Sequence, residues 1–428
     1  MSLDRLLSDL SPDVARILDY ALDGRELSTD DAVTLLESQG ADLHALCRAA
    51  DLARQDDVGD DISFVINRNM NFTNVCYVGC SFCGFARHKD DADAYDHPMD
   101  VMLEKTADAV SRGATEVCIQ GGIHPNKDHT HYREILETVK GAFPQIHIHA
   151  YSPEEIDFGH RKSDMQLSDY LRSLVDAGLG TMPGTAAEIL SDDIRKQIAP
   201  RKLMTQRWIE IVKTAHGIGL TSTSTLMYGH IESTRHVAEH LGLLRDIQKE
   251  TGGFTEFVPL GFIHEKNVLF NHMGARAGSS APEDVRLVAV ARLFLRPHIT
   301  NIQVSWVKMG TKLSQIGLMS GANDFGGTLM EESISRESGS QHGENLPAED
   351  MRRLIREIGR TPVERSTTYD TLRRFDDASL DPPSLEPVEK RELSGPTRWR
   401  LQQELEKTRE RQPLEASDAA ALAMLGGS

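Results

Sequence analysis

The sequence predicts an α/β protein whose main domain is a (β/α)8 barrel of the TIM type. From Ile62 onward, short runs of β-branched or aromatic residues alternate with longer segments of helical periodicity, a pattern typical of parallel strands joined by helices. Eight such units are present, the number that closes a TIM-type barrel. The chain has 428 residues, 39% of them hydrophobic, enough to bury one large core or two modest ones. A six-stranded open barrel is the alternative.

An N-terminal helical cap is predicted for residues 1–60. Four leucines fall on one face of a helix, Leu3, Leu6, Leu7 and Leu10. Ser28 precedes two aspartates and a second stretch of apolar periodicity, so it is expected to cap the start of a helix.

The predicted barrel covers residues 61–369. Its strands are expected at 64–68, 116–120, 146–150, 180–183, 221–227, 255–260, 302–307 and 322–325. Its helices are expected at 101–112, 167–177, 205–218, 236–251, 282–295, 311–319 and 348–358. Because the functional residues of such barrels collect at the carboxyl ends of the strands, the segments that follow each strand are the candidate site.

The most informative segment follows the first predicted strand and holds three cysteines. Cys76, Cys80 and Cys83 are spaced C-x3-C-x2-C. Three thiolates hold three corners of a cubane iron–sulfur cluster, whose full complement is four, so one iron is left open to a substrate or cofactor. This pattern indicates a radical S-adenosylmethionine (SAM) enzyme. The two remaining cysteines, Cys47 and Cys118, lie too far away in sequence to be an obvious fourth ligand.

Two other uses of cysteine are weaker. A structural zinc site needs four Cys or His ligands, and His88 and His97 are near the triplet but irregularly spaced. A disulfide framework is disfavoured because five cysteines in 428 residues are few and odd in number.

Two further strand ends carry candidate SAM-binding residues. Gly121 and Gly122 follow the second strand, where glycines let the backbone approach a ligand closely and where radical SAM enzymes hold the methionine amino group. Glu188 follows the fourth strand at the expected start of a helix. It either contributes to SAM binding or compensates the dipole of that helix. The fifth strand ends with Tyr228 and His230, a phenol and an imidazole that favour substrate binding at the same rim.

Composition excludes several partners. With 47 basic and 65 acidic residues, the net charge is −18, which disfavours nucleic acid and anionic membrane surfaces. No apolar run reaches the length of a membrane span, and the N-terminus lacks the basic-then-apolar pattern of a signal peptide. The protein is therefore expected in the cytoplasm.

Six segments resemble, in register, the tyrosine-using subunit of FO synthase, the enzyme that makes the deazaflavin core of coenzyme F420. They lie at 71–86, 120–123, 183–188, 225–230, 252–259 and 321–332. The resemblance runs from about residue 60 to Tyr369. Futalosine-pathway enzymes of menaquinone biosynthesis share the cysteine motif and the barrel, but the Gly-Gly-Thr-Leu-Met-Glu-Glu segment at 326–332 favours the deazaflavin branch. Residues 370–428 fall outside the match and are expected to be a mobile polar tail with one short helix at 399–411.

The resemblance implies a [4Fe–4S] cluster and SAM as cofactors, with L-tyrosine and 5-amino-6-(D-ribitylamino)uracil as substrates. A radical derived from SAM takes hydrogen from tyrosine, the tyrosine Cα–Cβ bond breaks, and the 4-hydroxybenzyl group is transferred to C5 of the uracil. The resemblance further places Tyr228, His230, Glu256, Asn323 and Asp324 at strand ends where they hold the phenol, the amine or the uracil.

One cluster motif and no internal repeat are present, whereas a complete deazaflavin needs a transfer and then a ring closure. A second radical SAM subunit is therefore expected to close the ring, and an electron donor must reduce the cluster. Two alternatives stay open from the residues: a futalosine-pathway radical SAM enzyme, and an iron–sulfur redox sensor that is not an enzyme.

Overall fold

The computed structural model of this chain describes residues 9–381. Within this range, three helices precede the first strand, Pro12–Leu22, Thr29–Leu36 and Gly40–Val58. Ser28 caps the second helix as predicted, since its hydroxyl accepts the Asp31 N–H at 3.1 Å while the Asp31 carboxylate accepts the Ser28 N–H at 3.0 Å. Some predicted features lie outside the described residues, namely Leu3, Leu6, Leu7, the tail from residue 382 and its helix at 399–411.

The described residues contain nine strands. They are β1 Asp61–Val65, β2 Asn67–Met70, β3 Glu116–Ile119, β4 His147–Ala150, β5 Ser222–Tyr228, β6 Phe254–Gly261, β7 Asp324–Gly327, β8 Thr361–Arg365 and β9 Thr371–Arg374. Three sheets result, in the orders β7-β1-β8-β9, β2-β3-β4 and β5-β6. Among the pairings between these nine strands, only that of β8 with β9 is antiparallel. The sheet architecture is thus that of a parallel α/β protein.

Isolated parallel bridges join neighbouring sheets. They pair His149 with Thr181, Met182 with Ser222, Phe257 with Ile302, and Gln303 with Asp324. The predicted strands at 180–183 and 302–307 are therefore reduced to bridges, and the regular strands do not form one closed sheet. The strand predicted at 302–307 was too long because Trp306 begins a helix, with its indole N–H donating to Gly327 O at 2.9 Å.

Helices connect the strands. They are Met99–Ser111, His129–Ala142, Pro153–Arg161, Leu167–Asp176, Asp192–Ile198, Thr205–Gly217, Thr234–Thr251, Val268–Met273, Ala281–Leu295, Trp306–Leu318, Ser333–Ser338 and Ala348–Glu357. All seven helices predicted between residues 61 and 369 are present. Regular structure continues past Tyr369 into β9, and neither β8 nor β9 was predicted. Among the described helices, none is both long and apolar enough to traverse a bilayer.

An apolar core lies between the strands and the surrounding helices. Phe257 on β6, Ile302 beside it and Trp208 on the helix Thr205–Gly217 are all completely buried. Burial of each such side chain contributes about 1.5–3 kcal/mol, so this layer fixes the positions of the strand ends. Loops that leave the carboxyl ends of the strands are consequently held on a rigid support.

Candidate active site

The cysteine loop begins directly after β2, which ends at Met70. Within it, Cys76 N–H donates to Arg87 O at 3.0 Å, and Tyr77 N–H donates to Ile123 O at 3.2 Å. The second of these bonds ties the loop to the segment that follows β3. All three thiols of the loop are free, and they line one cavity at the carboxyl ends of the strands.

This space, hereafter the cysteine cavity, has a volume of ≈ 250 Å³. Its lining includes, besides the three cysteines, residues from the segments after β3, β4 and β6, and Met227 of β5. Part of its wall is apolar, formed by Phe82, Phe85, Ile123 and Phe262. The lining also contains both acidic and basic residues, among them Glu188, Lys202 and Lys308.

The thiols fit an iron–sulfur cluster. They are unbridged, come from separate positions of one loop and open into a common space, as three single-iron ligands of a cubane must. Burial raises the pKa of Cys80 to about 12, so a thiolate at this position needs a cationic partner, which a bound iron supplies.

Gly121 and Gly122 line the cavity beside the cysteine loop. A Cβ on Gly121 would lie 2.6 Å from the Phe72 ring, and one on Gly122 would lie 2.3 Å from Val75 O. Gly122 N–H also donates to Thr73 O at 2.8 Å. The glycine pair therefore lets the segment after β3 pack directly against the backbone that carries the cysteines.

Glu155 is a buried carboxylate of the cavity wall that the sequence analysis missed. It accepts the Gly121 N–H at 3.0 Å, the Ser152 N–H at 2.8 Å and the Ser152 hydroxyl at 2.7 Å. Burial raises its pKa to about 7. The signal was present as a capping box, Ser152 followed three residues later by Glu155, but that pattern alone indicates only a helix start.

Glu188 forms a buried ion pair with Lys202, whose ammonium lies 2.5 Å from the carboxylate. Burial acts to raise the pKa of Glu188, but the Lys202 ammonium more than offsets it, so that pKa lies below its ordinary value. The next helix begins at Asp192, so Glu188 is not placed to compensate its dipole. Lys202 also lies 5.5 Å from the centroid of the Phe82 ring, which brings the pair beside the cysteine loop. The sequence did not indicate Lys202 as a site residue, because Lys202 follows the helix Asp192–Ile198 and reaches the cavity only through the fold.

Tyr228 and His230 do not line the cysteine cavity. The Tyr228 hydroxyl donates to Asp284 Oδ1 at 2.7 Å and borders a second cavity. His230 is completely buried, with its Nε2 3.1 Å from Met227 O. Its backbone N–H donates to Glu232 at 2.8 Å, so His230 belongs to the turn that ends β5.

Glu256, Asn323 and Asp324 lie at the opposite ends of their strands, which corrects their expected location. Asp324 is the first residue of β7 and Asn323 precedes it, because this strand starts two residues later than predicted. Glu256 is the third residue of β6. None of the three lines the cysteine cavity.

These residues form a closed polar network, hereafter the amino-end network. Arg365 of β8 donates to Asp324 at 2.5 and 3.1 Å, and the Tyr369 hydroxyl donates to Glu256 at 2.6 Å. Burial raises the pKa of Glu256 to about 7. Asn323 accepts from Arg292 at 2.6 Å. All of these residues except the partly exposed Tyr369 are buried, and each has a hydrogen-bond partner inside the protein.

The parallel α/β fold and three free thiols that open into one cavity define a radical SAM enzyme. A family model described as the Radical SAM superfamily matches residues 70–244, and one described as the CofH/MqnC C-terminal region matches residues 251–377. Methylornithine synthase has a similar fold, with a TM-score of 0.65 at 17% identity over 81% of this chain and 97% of that one.

Sequence relatives narrow the family. The chain is 44% identical over 354 residues to the 5-amino-6-(D-ribitylamino)uracil–L-tyrosine 4-hydroxyphenyl transferase of Methanothermobacter thermautotrophicus, covering 83% of this chain and 96% of that protein. It is 48% identical over 340 residues to the FO synthase of Mycobacterium tuberculosis, covering 79% of this chain but 40% of that longer protein. This chain belongs to the family of radical SAM 5-amino-6-(D-ribitylamino)uracil–L-tyrosine transferases. The family resemblance predicted from the sequence is confirmed.

Proposed function

We propose that this protein cleaves the Cα–Cβ bond of L-tyrosine and transfers the 4-hydroxybenzyl group to C5 of 5-amino-6-(D-ribitylamino)uracil, in the biosynthesis of the deazaflavin FO. The observation that carries the proposal is the cysteine cavity, with three free thiols at the carboxyl ends of the strands. It occurs in a chain 44% identical to a transferase named for these two substrates. The sequence relatives reported above are named for this transfer or for FO synthase, and these names favour the deazaflavin reaction over the futalosine-pathway alternative.

Cys76, Cys80 and Cys83 would hold the [4Fe–4S] cluster, with SAM at its open iron. When bound, these cofactors supply the 5′-deoxyadenosyl radical. We assign the methionine end of SAM to the backbone at Gly121 and Gly122. Both glycines border the cavity, and both let this backbone pack closely against the cysteine loop. Glu188 is proposed to contribute to SAM binding together with Lys202. Their ion pair holds one carboxylate and one ammonium at fixed positions on the cavity wall.

Tyrosine is assigned to the apolar part of the same cavity. Phe85, Ile123 and Phe262 are each at most 6% exposed, and together they provide an apolar wall for a phenol ring. Such a wall excludes water from a carbon radical, which would otherwise react with any nearby hydrogen donor. We further propose that the bridges at Thr181, Met182, Ile302 and Gln303 complete an eight-stranded barrel around this space.

The remaining predicted site residues receive different roles. Tyr228 is proposed to serve the second cavity, where its hydroxyl holds the Asp284 carboxylate in place. His230 is proposed to hold the turn after β5 in place. Glu256, Asn323 and Asp324 are proposed to stabilise the amino ends of the strands, since each is hydrogen-bonded to a side chain there.

Partners are proposed from the chemistry. A separate radical SAM subunit would close the ring of the adduct, and this chain spans 40% of the FO synthase of Mycobacterium tuberculosis, which leaves room there for a second such unit. An electron donor would reduce the cluster. Neither nucleic acid nor a membrane surface is proposed as a partner, and we place the reaction in the cytoplasm.

An anaerobic assay tests the function. Reconstituted protein with SAM, a reductant, L-tyrosine and the uracil is expected to form the hydroxybenzyl–uracil adduct, identified by its mass, and no fluorescent deazaflavin until the second subunit is added. Phenylalanine is expected to be a much poorer substrate, because it lacks the hydroxyl that the tyrosine pocket is expected to hydrogen-bond. Turnover of a futalosine derivative, with none of tyrosine, would overturn the proposal.

A further inference from the structure

A second cavity adjoins the cysteine cavity on the side of β6. Its volume is ≈ 360 Å³. The two cavities share four wall residues, Gly261, Phe262, Ile263 and Lys308. Gly261 is the last residue of β6, so both cavities open at the carboxyl ends of the strands.

The walls of the second cavity are polar where those of the first are largely apolar. Tyr228 and Ser279 both donate to Oδ1 of Asp284, which fixes the orientation of that buried carboxylate. Its other oxygen, Oδ2, accepts no hydrogen bond within residues 9–381. Neither the Ser305 hydroxyl nor the His342 imidazole has a hydrogen-bond partner in that part of the chain. Three polar groups of one cavity are therefore free to bind a ligand.

The position of His342 depends on a glycine. Gly310 has a φ of +73° and interrupts the helix Trp306–Leu318. A Cβ at Gly310 would lie 3.0 Å from the His342 ring, so the glycine allows the imidazole to pack against this helix. His342 and Asp284 both line the second cavity.

We infer that this second cavity binds the acceptor, 5-amino-6-(D-ribitylamino)uracil, with Asp284 as its principal recognition residue. The inference rests on the proposed function. The acceptor carries amine, ring N–H and ribityl hydroxyl donors, which need polar partners and match a carboxylate oxygen that lacks a donor. The polar walls of this cavity are a poorer match for the phenol ring of tyrosine than the apolar wall of the cysteine cavity. The shared wall at Gly261 and Lys308 places the acceptor beside the space assigned to tyrosine.

Substitution of Asp284 by Asn tests this assignment. The amide retains an oxygen for Tyr228 and Ser279 but replaces the acceptor Oδ2 with a donor. Anaerobic calorimetry with 5-amino-6-(D-ribitylamino)uracil is expected to give a Kd raised about 10–100-fold, the effect of losing a hydrogen bond to a charged group. The apparent KM for the uracil should rise in parallel, while the KM for tyrosine stays within about twofold of wild type.

Glu283→Gln is the matched control, since this neighbouring carboxylate pairs with Arg276 at 2.9 Å and does not border the second cavity. It should leave the Kd for the uracil unchanged. His342→Ala, at another lining residue of the cavity, should raise that Kd several-fold and decides the matter if Asp284→Asn does not fold. A wild-type enzyme that makes the adduct, with unchanged uracil Kd in both variants, would overturn the inference. A wild type that makes no adduct would instead overturn the proposed function, and calorimetry would still report whether Asp284 binds the uracil.

Discussion

The two ends of the parallel strands both carry buried charged residues, but they differ in what those residues contact. At the amino ends, Asp324 and Glu256 are fully paired with Arg365 and Tyr369. At the carboxyl ends, three thiols and Asp284 Oδ2 face open cavities. Buried polar groups that the protein satisfies by itself contribute to the fold, whereas groups left without a protein partner mark where a ligand binds. Four substitutions test this distinction.

The largest effect is expected from Cys80→Ala. Each thiolate binds its own iron, and neither Cys47 nor Cys118 lines the cavity. The variant should therefore lose SAM cleavage completely while its thermal unfolding remains cooperative. The measurement is 5′-deoxyadenosine production after reconstitution, with Cys47→Ala as the control that keeps activity. Full iron–sulfur absorbance in Cys80→Ala would contradict the cluster assignment.

Arg365→Met probes the amino ends. It would leave the buried Asp324 carboxylate without its cation, at a cost of about 3–5 kcal/mol in the free energy of unfolding. Chemical denaturation measures this loss. Arg172→Met is the control, because the Arg172–Asp169 pair is more than half exposed and contributes about 0–1 kcal/mol. If Arg365→Met and Arg172→Met lower the free energy of unfolding equally, the proposed structural role of the amino-end network is wrong.

Lys202→Met probes the carboxyl ends. The change removes the ammonium that pairs with Glu188 at 2.5 Å, so the rate of SAM cleavage should fall about 100-fold. Lys202→Arg, which keeps the positive charge, should restore part of the rate. Lys196→Met, an exposed lysine of the neighbouring helix, should match wild type. If Lys202→Met cleaves SAM at the wild-type rate, the ion pair has no part in the site.

The smallest effect concerns pH. Because burial raises the pKa of Glu256 to about 7, the folded protein binds a proton there that the unfolded chain releases near its ordinary pKa of 4.5. The contribution of Glu256 is therefore present below pH 4.5 and is lost as the pH rises to 7. Glu256→Gln should flatten this part of the stability profile relative to wild type, measured by denaturation at several pH values. A parallel profile in the variant would show that Glu256 does not titrate in this range.

Much of the site could be predicted from the sequence because it depends on local pattern. The cysteine triplet and the glycine pair lie within short segments directly after strands. The cofactors follow from the triplet, and the family follows from six short segments matched in register. Lys202 and Glu155 could not be predicted, because they reach the cavity only through tertiary packing. Asp324 was expected at the wrong end of its strand, since a strand boundary is set by its register with neighbours, here the pairing of Ser63 with Asp324.

The pairing of β1 has a consequence for synthesis of the chain. This strand, Asp61–Val65, lies between β7 and β8, whose residues are made more than 250 positions later. Contacts so distant in sequence form slowly, and on the ribosome they must wait for the end of the domain to emerge. The cysteine loop follows immediately after β1 and β2, so it is translated early yet enclosed late. We expect this interval to be the period in which iron and sulfide reach the three thiols most easily.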